Sequence, residues 1–177
     1  MLSQIAYSAK LRSMITKQQY IDSIAFELTV IRHLATKVDA AHFEFRPTPK
    51  QRSMHELMQY MSTIFGAGMD MIATGDQSKY AVWSEKTPAV TVENFDSLIA
   101  LEDAHIREVL GSMSDAMLEE SITLYGTARS RAEHLINGPL KWAAAYKMQL
   151  FMYLKMTGNE HLNTMNLWVG IDPKIEA

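Results

Sequence analysis

Between Thr16 and Lys37 the apolar residues Tyr20, Ile24, Leu28, Ile31 and Leu34 recur at steps of three and four, the stripe of an amphipathic helix. Stripes of the same period return three more times, and each has to be buried against other helices. The pattern predicts an all-α fold, a four-helix bundle. At 177 residues, the chain has room for one sizeable core and not for two ordinary domains, so residues 1–177 are expected to form one domain.

The segments between the stripes are equally legible. His42 to Gln51 holds Pro47 and Pro49, each lacking a backbone donor, and reads as a loop. Ser53 followed by Glu56 fits a reciprocal cap that starts the second helix, where Leu57, Met61, Ile64 and Met71 form the stripe and Tyr60 falls inside it. Thr74 to Pro88 contains Gly75, Asp76, Ser78 and Pro88 and few periodic positions. That is longer than a tight helix hairpin needs, and predicts a long crossover between helices two and three. The third helix runs from about Thr91 to Met113, with Phe95, Leu98, Ile99, Ile106, Val109 and Leu110 inward and Glu102 on the same face. Ser121 to Gly126 is a short β-prone run, and Ser130 with Glu133 makes another cap. Asn137, Gly138 and Pro139 then predict a kink, Leu140 to Met156 an unbroken helix, and Gly158 its stop.

The 17 Lys and Arg are scattered and the net charge is -3, so no basic surface matches a phosphate backbone and nucleic acid is excluded as an expected partner. The absence of cysteine removes thiol nucleophiles, disulfides and Cys-based metal sites. Met1 to Ser13 carries Lys10 and Arg12 without a following apolar core, so neither a secretory signal nor a membrane span is expected there, and a cytoplasmic location is the default. Several of the 13 methionines lie at helical spacing beside Leu, Ile and Phe in the second and fourth helices, and most read as core filler.

Two motifs carry a resemblance. The run from Arg46 to Met61, with its prolines, its Ser53-x-x-Glu56-Leu57 start and Tyr60, resembles the beginning of helix two in the DinB/YfiT-like superfamily of proposed metalloenzymes. The run Trp142-x-x-x-Tyr146-x-x-Gln149, ending at Gly158, is similar to that superfamily's His-x-x-x-His-Arg-x-Gln helix. The resemblance implies a DinB-like bundle, often a homodimer, in which Tyr60, Trp142 and Tyr146 stand at the positions of three metal-ligand histidines. Indole has no in-plane lone pair and an un-ionised phenol is a poor ligand, so neither a metal nor another cofactor is expected. No catalytic residue is assigned.

Tyr60, Trp142, Tyr146 and Gln149 are the candidate pocket, with Tyr153 continuing the same face of helix four. They either form an aromatic, hydrogen-bonding pocket for a small molecule or simply fill the vacated space. Glu102 and His105 make one Glu-x-x-His pair, but a di-metal bundle site needs a second, and none occurs. The alternative is a partly buried carboxylate bonded to a neighbour, with a surface histidine one turn on. His33, His55, His134 and His161 have no partner histidine at helical spacing, although His134 could reach the rim of a pocket near Trp142. Gly66 and Gly68 read as sites of close helix packing. Three functions remain open: a metal-free small-molecule-binding or regulatory module, a hydrolase or thiol-dependent transferase with a site rebuilt from Glu102, His105 or His134, and a dimeric interaction protein.

Overall fold

The computed structural model describes residues 15–173, and the Met1 to Ser13 stretch discussed above lies outside them. Four long helices form the body: α1 (Lys17–Ala35), α2 (Met54–Thr74), α4 (Val92–Ser112) and α7 (Lys141–Met156). Between them lie the short helices α3 (Lys79–Lys86), α5 (Asp115–Glu119) and α6 (Arg131–Leu135), and the strands β1 (Ser121–Leu124) and β2 (Thr127–Ser130). Thr16, Ser53, Thr91 and Ser130 start their helices with reciprocal caps, in which the third residue's side chain reaches back to the cap amide.

Side-chain bonds fix the directions. Arg32 pairs with Asp96 at 2.6 Å and the Lys17 ammonium donates to Met113 O at 2.8 Å, so α1 and α4 are antiparallel. His55 lies against Val90 O at 2.9 Å and His105 against Asp70 at 2.8 Å, so α2 and α4 run parallel. Tyr60 meets Tyr146, and Tyr153 donates to Arg52 O, making α7 antiparallel to α2. The order is up-down-down-up, with α1 and α2 on one diagonal.

Two parallel neighbours need a return path, which is the crossover the sequence predicts. The path is not irregular, however: α3 occupies half of it and runs back along α2. None of its residues is fully buried, so it has no apolar stripe by which periodicity would reveal it.

The β-prone run is the first half of a hairpin, closed by Tyr125 (φ 51°) and Gly126 (φ 74°). Both turn residues are left-handed, which matches the twist of the two strands. The expected kink is a widened turn over Ile136–Leu140, in which Gly138 leaves helical geometry (φ -110°, ψ -109°). Proline at 139 cannot donate to the turn before it, and the wider turn absorbs that loss. A last wide turn, Met165–Val169, docks on α1: Asn166 bonds Asp172 at 2.9 Å, and Asp172 pairs with Lys37 at 2.6 Å.

The core runs through all four long helices, and α2 is buried on nearly every side from Met61 to Met69. Among the described residues, no helix is long and apolar enough to cross a membrane.

Candidate functional site

Tyr60 on α2 and Tyr146 on α7 meet edge to face, with ring centroids 5.2 Å apart. Tyr80 of α3 approaches the same Tyr60 ring at 6.0 Å, and the Arg52 guanidinium lies 4.0 Å above its centre. Arg52 is held there by its backbone: Tyr153 donates to Arg52 O at 2.9 Å, while Gln149 donates to the Tyr153 hydroxyl at 2.7 Å. Burial, and then the neighbouring Tyr146, push the Tyr60 hydroxyl far above the ordinary phenol range.

This cluster borders a groove of about 490 Å³ lined by Arg52, His55, Glu56, Gln59, Tyr60, Thr63, Tyr80 and Ser84. Most of its other polar groups are already engaged. Glu56 is paired with Arg46 at 2.6 Å, and Gln59 uses both ends of its amide on the backbone of Pro88 and Val90. The Arg52 guanidinium has no carboxylate within ion-pair distance among the described residues, and is therefore the groove's available charge.

Of the four sequence-derived candidates, Tyr60 and Tyr146 come into contact and Gln149 supports them through Tyr153 and Arg52. Trp142 turns elsewhere. Its indole lies across Gly68, where a Cβ would approach the ring to 2.7 Å, and it lines a different cavity. The positions that the resemblance assigns to a metal carry an unsuitable donor set: an indole, and a Tyr60 phenol that stays protonated at neutral pH. Among the described residues, no group of three or more His, Asp or Glu side chains is placed to hold a metal ion.

The Glu102 and His105 pair divides between two environments. Glu102 is fully buried and accepts from the Gly66 amide, and its second oxygen has no partner. His105 is half-buried rather than at the surface, bound to Asp70, which also accepts the Trp83 indole N–H at 2.7 Å. Trp83 stands on Gly66, where a Cβ would collide with the ring, so both glycines of α2 serve as seats for indoles. Asp70 is a residue sequence reasoning passed over, although it is the sole charge between Leu57 and Thr74 and that isolation was its signal. His55 stacks on Phe43 at 4.8 Å, and His134 faces Ile122 O at 3.2 Å. Lys147 also escaped notice: it is buried and paired with Glu27 at 2.6 Å, beneath the ring of Trp168.

The molecule is thus an up-down-down-up bundle with a helical crossover and an aromatic seam between α2 and α7. No protein-family model and no curated protein matches its sequence. Solved structures do match. A DinB-like protein from Bacillus subtilis superposes with a TM-score of 0.66 at 20% identity, over 79% of this chain and 92% of that one. A proposed DinB-family member from Exiguobacterium sibiricum gives 0.66 at 17% identity, over 85% and 99%. A DinB-like protein from Bacillus cereus gives 0.61 at 11%, over 80% and 92%. The fold is DinB-like.

Proposed function

We propose that this chain is a metal-free small-molecule-binding or regulatory module on a DinB-like bundle, with the groove beside Tyr60 as its binding surface. The observation that carries the reading is Arg52, whose guanidinium lies on an aromatic ring at the wall of an open groove with no carboxylate within ion-pair distance among the described residues. Such a group offers a planar, charged face to a ligand while its own position is already set by Tyr153. The donor set at Tyr60, Trp142 and Tyr146 supports the metal-free part of the reading.

Thermal melts of untagged protein test both parts, because a ligand of the native state raises the midpoint by mass action. Excess zinc or nickel is expected to leave the midpoint unchanged. A saturable rise would instead favour a metal-dependent hydrolase or thiol-dependent transferase with a rebuilt site. A panel of small aromatic acids, amides and amines is expected to contain compounds that stabilise the wild type and not Arg52→Ala. No such compound in the panel would remove the groove as a binding surface.

A second reading, a homodimeric interaction protein, draws on one feature of α7. Met148, Met152 and Met156 are exposed at intervals of one helical turn, an apolar row left uncovered by the described residues. Sedimentation is expected to give twice 20.1 kDa, and Met152→Glu to give the monomer. A wild-type monomer at micromolar concentration would end this reading.

A further inference from the structure

A second cavity, about 220 Å³, shares no lining residue with the groove beside Tyr60. Its floor is Trp142, laid between Gly68 of α2 and Gly138 of the widened turn. Leu124, Met71 and Ile72 supply apolar walls. Around this apolar base stand three basic side chains from three elements: Arg129 of β2, His134 of α6 and Lys141 of α7. No carboxylate lines the cavity.

The basic groups are available. Among the described residues, the side chain of neither Arg129 nor Lys141 has a hydrogen-bond or ion-pair partner. His134 places Nε2 at 3.2 Å from Ile122 O, and a carbonyl there requires an N–H, so Nδ1 is the nitrogen left over. Glu133, whose carboxyl is held low mainly by its bonds to Ser130 and in part by the charges of Arg129 and His134, is outside the lining and accepts from both the amide and the hydroxyl of Ser130 at 3.0 Å. The widened turn over Ile136–Leu140 matters here, since it separates His134 from Lys141 and Trp142 along one helical path and yet leaves all three on one cavity.

We propose that this cavity binds a small aromatic monocarboxylate, its ring on the indole of Trp142 and its carboxylate between Arg129 and Lys141. The volume lies below the roughly 300–1,000 Å³ of pockets for drug-sized ligands, which restricts the occupant to a single ring. A flat aromatic floor selects a ring over a bare inorganic anion, and two cations in a lining without a carboxylate select an acid over its amide. The site stands independently of the groove beside Tyr60.

Isothermal titration of the full chain with benzoate tests the assignment, with benzamide and inorganic phosphate as comparators. Benzoate is expected to bind saturably at millimolar concentration or better, and about ten-fold more tightly than either comparator. Arg129→Gln and Lys141→Gln remove charges at the rim without touching the core, and each is expected to weaken benzoate about five- to ten-fold. Lys50→Gln, in the exposed loop before α2, is expected to leave benzoate unchanged. The proposal fails if benzoate does not saturate, if benzamide or phosphate binds equally well, if both rim variants bind like the wild type, or if the loss appears in Lys50→Gln instead.

Discussion

The backbone amide of Gly66 donates to one carboxyl oxygen of Glu102 across the α2–α4 interface, while the other oxygen faces the core without a partner. Burial pushes the Glu102 carboxyl up to about 8; the Gly66 amide opposes that rise and the charge of Asp70 adds to it. The protonated acid is therefore the form the bundle holds at neutral pH.

That raised value makes the fold acid-favoured in one window. Below an unfolded-state value of about 4.5 both states carry the proton, and above about 8 both have lost it; between them only the native state keeps it. Stability should fall as pH rises through the window, by on the order of 4 kcal/mol between about pH 5 and pH 8. Urea unfolding of the wild type and Glu102→Gln at the two pH values would isolate this term, since glutamine cannot ionise. Parallel profiles for the two proteins would refute it.

Trp83 should be the anchor of the crossover. It rests on Gly66, gives its indole N–H to Asp70 and meets the His105 ring edge-on at 4.9 Å, although no residue of α3 is fully buried. Trp83→Ala is expected to speed hydrogen exchange throughout residues 79–86 while α2 and α4 stay protected. Gly66→Ala should do the same by expelling the ring. Unchanged exchange in α3 would mean that Tyr80 and Thr87 suffice to hold it.

Lys147 and Glu27 form an ion pair whose lysine is 1% exposed and whose glutamate is 19% exposed. Removing one partner leaves a poorly solvated charge, so Lys147→Met is expected to cost about 2–4 kcal/mol. Adding Glu27→Leu should recover much of that loss, because a well-packed apolar pair is often as stable as a buried ionic one. Strictly additive denaturation midpoints in a double-mutant cycle would show that the two charges do not sense each other.

Tyr60→His, Tyr146→His and Trp142→His together test how much of a metal site the fold could regain. The first two positions already bring their rings to 5.2 Å, but Trp142 points toward Gly68, so its histidine must turn back toward the other two. The metal-free variant should lose about 1–3 kcal/mol per site through cavities, most of it at Trp142. Zinc should restore part of the midpoint, and a smaller restoration in the pair lacking Trp142→His would place all three on one ion. No response to zinc would place them around different centres.

The bundle was readable from the sequence because its signals are local. A stripe at Tyr20, Ile24, Leu28, Ile31 and Leu34, a reciprocal cap at Ser53 and Glu56, and a proline after Gly138 each act within a few residues, and each holds in the fold. The length between Thr74 and Pro88 likewise required a crossover, since parallel neighbours cannot be joined by a tight turn. Apart from the meeting of Tyr60 with Tyr146, which the resemblance implied, what escaped was the set of features made by contact across helices. Glycine at 66 and at 68 leaves room for an indole, but only the path of α3 and the widened turn before α7 bring Trp83 to the first and Trp142 to the second. The same holds for Arg52 on Tyr60, for Lys147 beneath Trp168 and for the proton on Glu102. Periodicity determines which face of a helix is buried; which side chain meets it there depends on helix order, direction and offset, and those are set by the tertiary structure alone.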